Sequence, residues 1–221
     1  MKRIGERFLE KIQSVIHLKD LHVLEIGCGK GEKTALLAQA AKSVDGIDPD
    51  ATALKIAREK AFSNVTFHHG HAEALPFPQG TFDVSCFLLS LHHVARPQLP
   101  KAIQEAIRVT KTLGYVIFLE PGFHGTLFEA EKRFGAGDGD ERKAKAQAFA
   151  AILEAPLDEV AELWDETVFQ FDSLEDFISS MDSQNRSKDG LETFLKEHNY
   201  TLNAERRINI FRVNDSSRTG S

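Results

Sequence analysis

Short apolar runs alternate with amphipathic stretches through the first 120 residues of the chain. The apolar runs have the length of buried strands, and they cover residues 22–26, 43–47, 64–68, 82–89 and 115–120. Apolar residues at helical spacing lie between several of these runs and predict helices over residues 32–41, 51–62 and 99–110. Strands that alternate with helices indicate right-handed βαβ units and therefore a parallel sheet.

The pattern changes after residue 120. Residues 121–139 are rich in Gly and Phe, and an Ala-rich stretch then predicts a helix over residues 142–153. A further helix is predicted over residues 191–198. Residues 200–213 alternate between apolar and polar side chains, which predicts an antiparallel pair of strands.

Composition narrows the class of protein. Hydrophobic residues make up 42% of the 221 residues and charged residues 27%, as in soluble globular domains. No run approaches the roughly 18 consecutive apolar residues of a membrane helix. The N-terminus also lacks the apolar core of a signal peptide. We therefore expect a cytoplasmic protein with no membrane partner.

Charge and cysteine content argue against two further classes. The net charge is −6 and the pI is about 5.9, whereas a surface that follows nucleic-acid phosphates usually needs a positive stripe. The two cysteines have no CxxC spacing, which argues against a disulfide framework and against structural zinc. His68 and His69 are adjacent on a predicted strand and point to opposite faces, so a metal cluster with His71 is not expected. We expect neither a nucleic-acid partner nor a bound metal.

A glycine loop follows the first predicted strand, in the sequence VLEIGCGKGEKTALL. Gly27, Gly29 and Gly31 are spaced G-x-G-x-G, which lets the backbone turn sharply and lets a ligand approach without an intervening Cβ. The helix that follows presents free N–H groups and the positive end of its dipole. Such a helix end suits a carboxylate as well as a phosphate.

Two features separate this loop from nucleotide-phosphate sites. The glycine spacing is neither the G-x-G-x-x-G fingerprint nor a P-loop. Glu25 stands two residues before the first glycine, where a carboxylate opposes a pyrophosphate but favours an ammonium or a sulfonium. S-adenosylmethionine carries both of these cations, and its carboxylate suits the helix end.

Asp48 ends the second predicted strand, about 20 residues beyond the glycines, where such folds place an acid on ribose hydroxyls. A carboxylate at this point accepts hydrogen bonds from both hydroxyls of an unphosphorylated ribose. The alternative role is a helix-capping turn, for which Asp50 competes.

With these residues in place, the chain resembles the class I S-adenosylmethionine-dependent methyltransferases. The likeness is greatest to the small-molecule group similar to ubiquinone and menaquinone C-methyltransferases, the methyltransferase type 11 group. Four stretches match in order: VLEIGCGKG, VDGIDPD, GHAEALPFPQGTFDV with LLSLHHV behind it, and GYVIFLEP. Together they cover roughly residues 21–121.

The resemblance implies an α/β, Rossmann-like fold with a mainly parallel seven-stranded sheet flanked by helices. It also implies a reversed last strand and a helical cap insertion after the fifth strand. We expect one methyltransferase domain over residues 1–221, with its core in residues 1–120 and 191–213 and the cap in residues 121–190.

The implied cofactor is S-adenosyl-L-methionine. In the third stretch the family pattern G-D-A-E-x-L-P-F is changed, because the Asp that usually contacts the adenine amino group is His71 here. A neutral imidazole accepts a hydrogen bond from an amine and a protonated one does not, so the backbone of Ala72 is the alternative contact. The expected cofactor-binding residues are Glu25, Gly27, Cys28, Gly29, Gly31, Asp48, Pro49, His71, Ala72 and Leu88.

His92 and His93 follow the fourth predicted strand, at the carboxyl edge where open α/β sheets bind ligands. Either is a candidate general base for an acidic acceptor, and the alternative is a structural pair. We expect a small-molecule acceptor; the sequence leaves open whether carbon, oxygen or nitrogen is methylated, and which oligomer forms. A non-catalytic cofactor-binding or regulatory protein on the same fold is the alternative function. A nicotinamide dehydrogenase is disfavoured by the glycine spacing.

Overall fold

One sheet of eight strands runs through the chain in the computed structural model, which describes residues 1–60, 62–137, 139–181 and 190–214. The strands are β1 (Lys2–Ile4), β2 (His22–Ile26), β3 (Ser43–Asp48), β4 (Val65–His69), β5 (Phe82–Leu88), β6 (Thr110–Pro121), β7 (Asp158–Gln170) and β8 (Thr201–Arg212). The helices are α1 (Phe8–Gln13), α2 (Glu32–Ala40), α3 (Ala51–Arg58), α4 (Leu99–Val109), α5 (Thr126–Phe134), α6 (Arg142–Leu153), α7 (Leu174–Ser180) and α8 (Leu191–Glu197). Two 3-10 turns, Leu91–His93 and Arg96–Gln98, link β5 to α4.

The strand order is β1-β7-β8-β6-β5-β2-β3-β4. Strands β2, β3, β4, β5 and β6 all pair with one another in parallel. Strand β8 runs antiparallel to both β6 and β7. The order reverses at β2, which lies between β3 and β5. The carboxyl ends of these strands therefore meet at a switch point, the usual ligand position in an open α/β sheet. The expected Rossmann-like class I fold, with its reversed last strand, is confirmed.

Apolar side chains on alternate strand positions form two layers. On one face, Leu24 and Phe118 pack with side chains of α4 and α6. On the other, Val23 and Ile117 pack with side chains of α1 and α2. Fully burying each such side chain contributes about 1.5–3 kcal/mol, so both faces of the sheet hold it in place.

The sheet has one more strand than the resemblance implies. Residues 2–4 form β1, which pairs antiparallel with β7 at the edge of the sheet. All three of its residues are exposed, so no apolar pattern marks the strand in the sequence. Residues 200–213 hold a single strand, β8, instead of the expected antiparallel pair, and its two partners come from distant parts of the chain.

The expected cap of residues 121–190 is only partly helical. Helices α5, α6 and α7 lie in this range, but residues 158–170 form β7 and pair with β8 along their length. The inward positions of β7 include the polar residues Asp165 and Thr167, which weakens the alternating pattern that marks a strand. The expected cap boundary is therefore wrong over β7; residues 182–189 lie outside the described part of the chain.

Aromatic residues of this second region form a core of their own. Phe134, Phe177 and Phe194 are buried together between α5, α7 and α8, with the ends of β7 and β8 beneath them. Phe134 and Phe194 have ring centroids 5.4 Å apart, and Phe171 lies 4.8 Å from Phe177. The Phe-rich composition of this region therefore serves mainly to pack these helices.

Candidate cofactor and acceptor site

The glycine loop joins the end of β2 to the start of α2, at the switch point of the sheet. Gly29 has φ +51°, in the left-handed region that favours glycine, and a Cβ built there meets no atom within 4 Å. Gly27 has φ +78°, and a Cβ there would lie 2.5 Å from Cβ of Ser90. Gly27 thus lets the loop approach the segment after β5, whereas Gly29 leaves open space beside the backbone.

A cavity of about 760 Å³ opens beside this loop. Its volume lies within the range of about 300–1,000 Å³ that is typical of small-molecule sites. Of the predicted cofactor residues, the lining includes Glu25, Gly27, Cys28, Gly29, Asp48, Pro49, His71, Ala72 and Leu88. The structure therefore brings nine predicted residues together around one space.

Gly31 is not part of the lining, contrary to expectation. It precedes α2 with φ +72°, and a Cβ there would lie 3.0 Å from the Phe67 ring and 3.1 Å from Ala57. Its place in the glycine pattern therefore reflects close packing of α2 against α3 and β4, and its cofactor contact stays a prediction.

Asp48 holds the glycine loop as well as facing the cavity. Its Oδ2 accepts a 2.7 Å hydrogen bond from Gly29 N–H, and its Oδ1 accepts one of 2.8 Å from Asp50 N–H. The helix-capping role falls to Asp50, whose side chain accepts from the backbone N–H groups of Thr52 and Ala53. Each Asp48 oxygen has accepting capacity left, so the carboxylate remains suited to a pair of hydroxyls.

Glu25 is buried below the loop. Its Oε2 accepts a 2.5 Å hydrogen bond from the Thr34 hydroxyl. Burial, which disfavours the charged form, raises the pKa of Glu25 to about 7. The hydrogen bond from Thr34 and the charge of Lys33 lower this pKa in part, and the negative charge of Asp48 raises it further. A cationic ligand group in the cavity would compensate the ionised form of this carboxyl.

Cys28 and His71 differ in exposure at the same cavity. Cys28 is buried, and burial with the charges of Glu25 and Asp48 raises the pKa of its thiol well above the ordinary value. The thiol is therefore a poor nucleophile, as expected of a small spacer. The His71 side chain is exposed, and its Nδ1 lies 4.0 Å from Glu73 Oε1.

The two histidines after β5 occupy different environments. His92 is buried, and its Nδ1 shares a short hydrogen bond with Glu120 Oε2, while Glu120 Oε1 accepts from Leu91 N–H at 3.0 Å. Burial alone would lower the pKa of His92, but the hydrogen bond and charge of Glu120, with Glu141, raise it. His92 is not part of the cavity lining, so its contacts favour the structural alternative over a general base, whereas its catalytic role stays a prediction.

His93 does reach the cavity. It is part of the lining, its side chain is 50% exposed, and its Nδ1 lies 3.6 Å from Glu141 Oε1. The apolar residues Phe87, Leu89 and Val94 line the cavity near it. This end of the cavity is therefore largely apolar, with one imidazole facing into it.

Comparison with known proteins agrees with this geometry. The sequence model of the methyltransferase-domain family matches residues 23–114, from β2 to the start of β6. An uncharacterized methyltransferase of Bacillus pumilus is 25% identical over 194 residues, covering 84% of this chain and 87% of the relative. Residues 23–114, less than half of the chain, thus match the methyltransferase-domain family.

Two further matches extend the comparison. The demethylmenaquinone methyltransferase of Anoxybacillus flavithermus is 36% identical over 109 residues, which cover 46% of this chain and 45% of the relative. The match thus spans less than half of that relative. The crystal structure of an S-adenosylmethionine-dependent methyltransferase from Aquifex aeolicus has a TM-score of 0.60 at 14% identity, covering 91% of this chain and 89% of that one, and shows the shared fold.

Sequence reasoning missed several residues of the candidate site. Lys33 lines the cavity, and its pKa is lowered by burial and by Arg206. Its position in the first turn of α2, directly after the glycine loop, is a signal that could have found it. Leu89 lines the cavity and has φ +60°, a strained conformation for a leucine. The residue pattern does not predict this conformation.

The carboxylates behind the histidines were also missed. Glu120 ends the GYVIFLE stretch and Glu141 precedes α6, both far from the histidines in sequence. Their contacts depend on where α6 packs, which the local pattern does not specify.

Among the described residues, no helix is long and apolar enough to cross a membrane.

Proposed function

We propose that this protein is a methyltransferase that transfers the methyl group of S-adenosylmethionine to a small, largely apolar acceptor bound beside His93. One observation carries the proposal. A single cavity extends from the glycine loop and Asp48 to the apolar residues that follow β5. A donor at the first end and an acceptor at the second would share one cavity.

The cofactor's polar groups have partners of suitable charge. Asp48 is proposed to bind the ribose hydroxyls, and His71 with the backbone of Ala72 the adenine, because all three line one part of the cavity. Glu25 and Lys33 place a carboxyl and an ammonium near the glycine loop, which suits the ammonium and carboxylate of the methionine part. Gly29 leaves the space that this part would fill.

The acceptor end requires alignment more than acid–base groups. Methyl transfer is a direct displacement at a sulfonium carbon, and alignment alone can supply about 7–11 kcal/mol of the barrier. His93 is the residue assigned to activating the acceptor's nucleophile, with Glu141 behind it. Apolar lining and a likeness to demethylmenaquinone methyltransferase favour a ring hydroxyl or ring carbon as the nucleophile.

The experiment is a transfer assay with methyl-labelled S-adenosylmethionine and a panel of phenols, quinols, amines and carboxylic acids. Formation of S-adenosylhomocysteine with label in the phenol or quinol fraction supports the proposal. Cofactor binding without transfer to any panel member would favour a regulatory cofactor-binding protein instead. Transfer only to amines or carboxylic acids would overturn the assigned acceptor class.

A further inference from the structure

A His–His–Glu cluster borders the acceptor end of the cavity. His92 Nε2 lies 3.8 Å from Glu141 Oε2, and His93 Nδ1 lies 3.6 Å from Glu141 Oε1. One ligand atom from each of the three residues lies within 4.8 Å of the other two. His93 is also part of the cavity lining, so a group held by this cluster would face the acceptor space.

We propose that His92, His93 and Glu141 bind a divalent transition-metal ion that holds an oxygen atom of the methyl acceptor. The inference rests on the proposed function, because it assigns the acceptor end of the same cavity. It narrows the acceptor class to molecules with an oxygen donor, such as a phenol or quinol. Two histidines and one carboxylate are a known set for a metal with open coordination positions.

The cluster has the support that a metal-binding histidine needs. Glu120 is hydrogen-bonded to His92 Nδ1, which leaves Nε2 directed at Glu141. A carboxylate on the far nitrogen fixes the ring orientation and the tautomer of a metal ligand. Glu120 is itself fixed by Leu91 N–H, so the ring is held by two successive contacts.

Charge in the cluster favours a dication. Three carboxylates surround it, those of Glu120, Glu131 and Glu141, and the buried ammonium of Lys145 is the opposing charge. Lys145 Nζ lies 2.6 Å from Glu131 Oε2 and 3.8 Å from Glu141 Oε2. Among the described residues, the cluster thus has three carboxyl groups against one lysine.

The separations of the two histidines from Glu141 require only a small contraction, and the three ligand atoms all lie within 4.8 Å of one another. With metal–ligand bonds of about 2.0–2.1 Å, neighbouring ligand atoms in a tetrahedral site lie about 3.3 Å apart. The observed separations from Glu141 are 3.6 and 3.8 Å. His93 is half exposed and can close this gap by turning toward Glu141. Imidazole nitrogens suit zinc, iron or cobalt better than magnesium or calcium.

The test uses Co²⁺ as a visible probe on chelator-treated full-length protein. We expect one equivalent to bind, with d–d absorption bands that indicate nitrogen ligands. His93→Gln and Glu141→Gln should each weaken binding by at least about 100-fold, and Glu120→Gln by about tenfold as an outer partner. His17→Gln and Glu154→Gln are matched controls, because both residues are exposed and Glu154 ends the helix that Glu141 precedes.

Two outcomes would overturn the proposal: no Co²⁺ binding at millimolar concentration, or binding that both His93→Gln and Glu141→Gln leave unchanged. His92→Gln is not used, because loss of a buried contact could unfold the protein. S-adenosylmethionine affinity, measured on the same variants by calorimetry, should not change. Loss of the metal proposal alone would leave cofactor binding and label transfer intact, so its failure is distinguishable from failure of the proposed function.

Discussion

The cofactor end and the acceptor end of the cavity are built in different ways. The cofactor end comes from the turns after β2 and β3, and its groups are held by short local contacts such as the Asp48–Gly29 hydrogen bond. The acceptor end joins the turn after β5 to residues near the start of α6, through Glu141. Backbone geometry therefore defines the donor site, whereas long-range packing of side chains defines the acceptor site.

The largest effect is expected from filling the space beside Gly29, with a control that separates loss of cofactor binding by steric clash from loss of stability by backbone strain. Gly29→Val should abolish detectable S-adenosylmethionine binding, because the side chain would enter the open space beside the loop. Gly137→Val is the matched control: Gly137 has φ +58° and also has no atom within 4 Å of a built Cβ, but it lies outside the cavity lining. Both changes carry a left-handed backbone cost of about 1–2 kcal/mol, so their melting temperatures should fall alike. Calorimetric binding by Gly29→Val at wild-type affinity would contradict the assignment of the loop.

A substitution at the acceptor end should lower turnover without changing the affinity for S-adenosylmethionine. His93→Gln should lower turnover by about 100-fold, the lower end of typical losses for an activating group, since the acceptor's nucleophile would lose its polar partner. Cofactor affinity should stay within about twofold. Single-turnover label transfer and calorimetry on the same preparation measure the two quantities, with His17→Gln as the control. If His93→Gln keeps full turnover, the acceptor is positioned elsewhere.

A smaller effect tests the ribose assignment. Asp48→Asn should weaken cofactor binding by about 1.5–3 kcal/mol, or roughly 10- to 150-fold, because hydrogen bonds to a charged acceptor are lost. Asp165→Asn offers a matched control: Asp165 is 6% exposed against 8% for Asp48, and it also accepts from a backbone N–H, that of Arg7. Equal affinities of Asp48→Asn and wild type by calorimetry would remove the ribose role.

The smallest effect is a pH dependence at the cofactor end. Because the pKa of Glu25 is raised to about 7, the ionised fraction that can attract an ammonium grows as the pH rises through 7. Affinity for S-adenosylmethionine should therefore rise between pH 6 and pH 7.5, by at most about tenfold for each unit by which binding lowers this pKa.

Glu25→Gln isolates this titration, because glutamine still accepts from Thr34 but carries no charge. The ratio of wild-type to Glu25→Gln affinity cancels the cofactor's own ionisation. That ratio should increase with pH across the range. A ratio that stays constant would show that Glu25 does not interact with the bound cofactor's charge.

The contrast between local and long-range contacts explains which parts of the fold and of the candidate site could be predicted from the sequence. Residues 22–26 were predicted as a strand with the observed bounds, because a buried parallel strand is a continuous apolar run. Nine of the predicted cofactor residues line the cavity, since glycine spacing and strand ends are local features. Residues 158–170 were missed as a strand because polar side chains occupy inward positions of β7.

Contacts between distant segments were beyond the pattern. The expectation of no metal rested on the cysteine spacing and on the histidines near residue 70, whereas the His–His–Glu cluster includes Glu141 from just before α6. The different environments of His92 and His93 depend on Glu120 and on the packing of α6, neither of which adjacency in sequence reveals. Two adjacent histidines can therefore differ in environment: His92 is buried, whereas His93 lines the cavity.

The central claim is that one cavity holds the donor and directs its methyl group toward the His93 end. A crystal structure of the complex with S-adenosylhomocysteine tests this most directly. The account predicts ribose hydroxyls within hydrogen-bond distance of Asp48 and the sulfur atom facing the space between Leu89 and His93. A complex with the ribose away from Asp48, or with the sulfur facing away from His93, would contradict it.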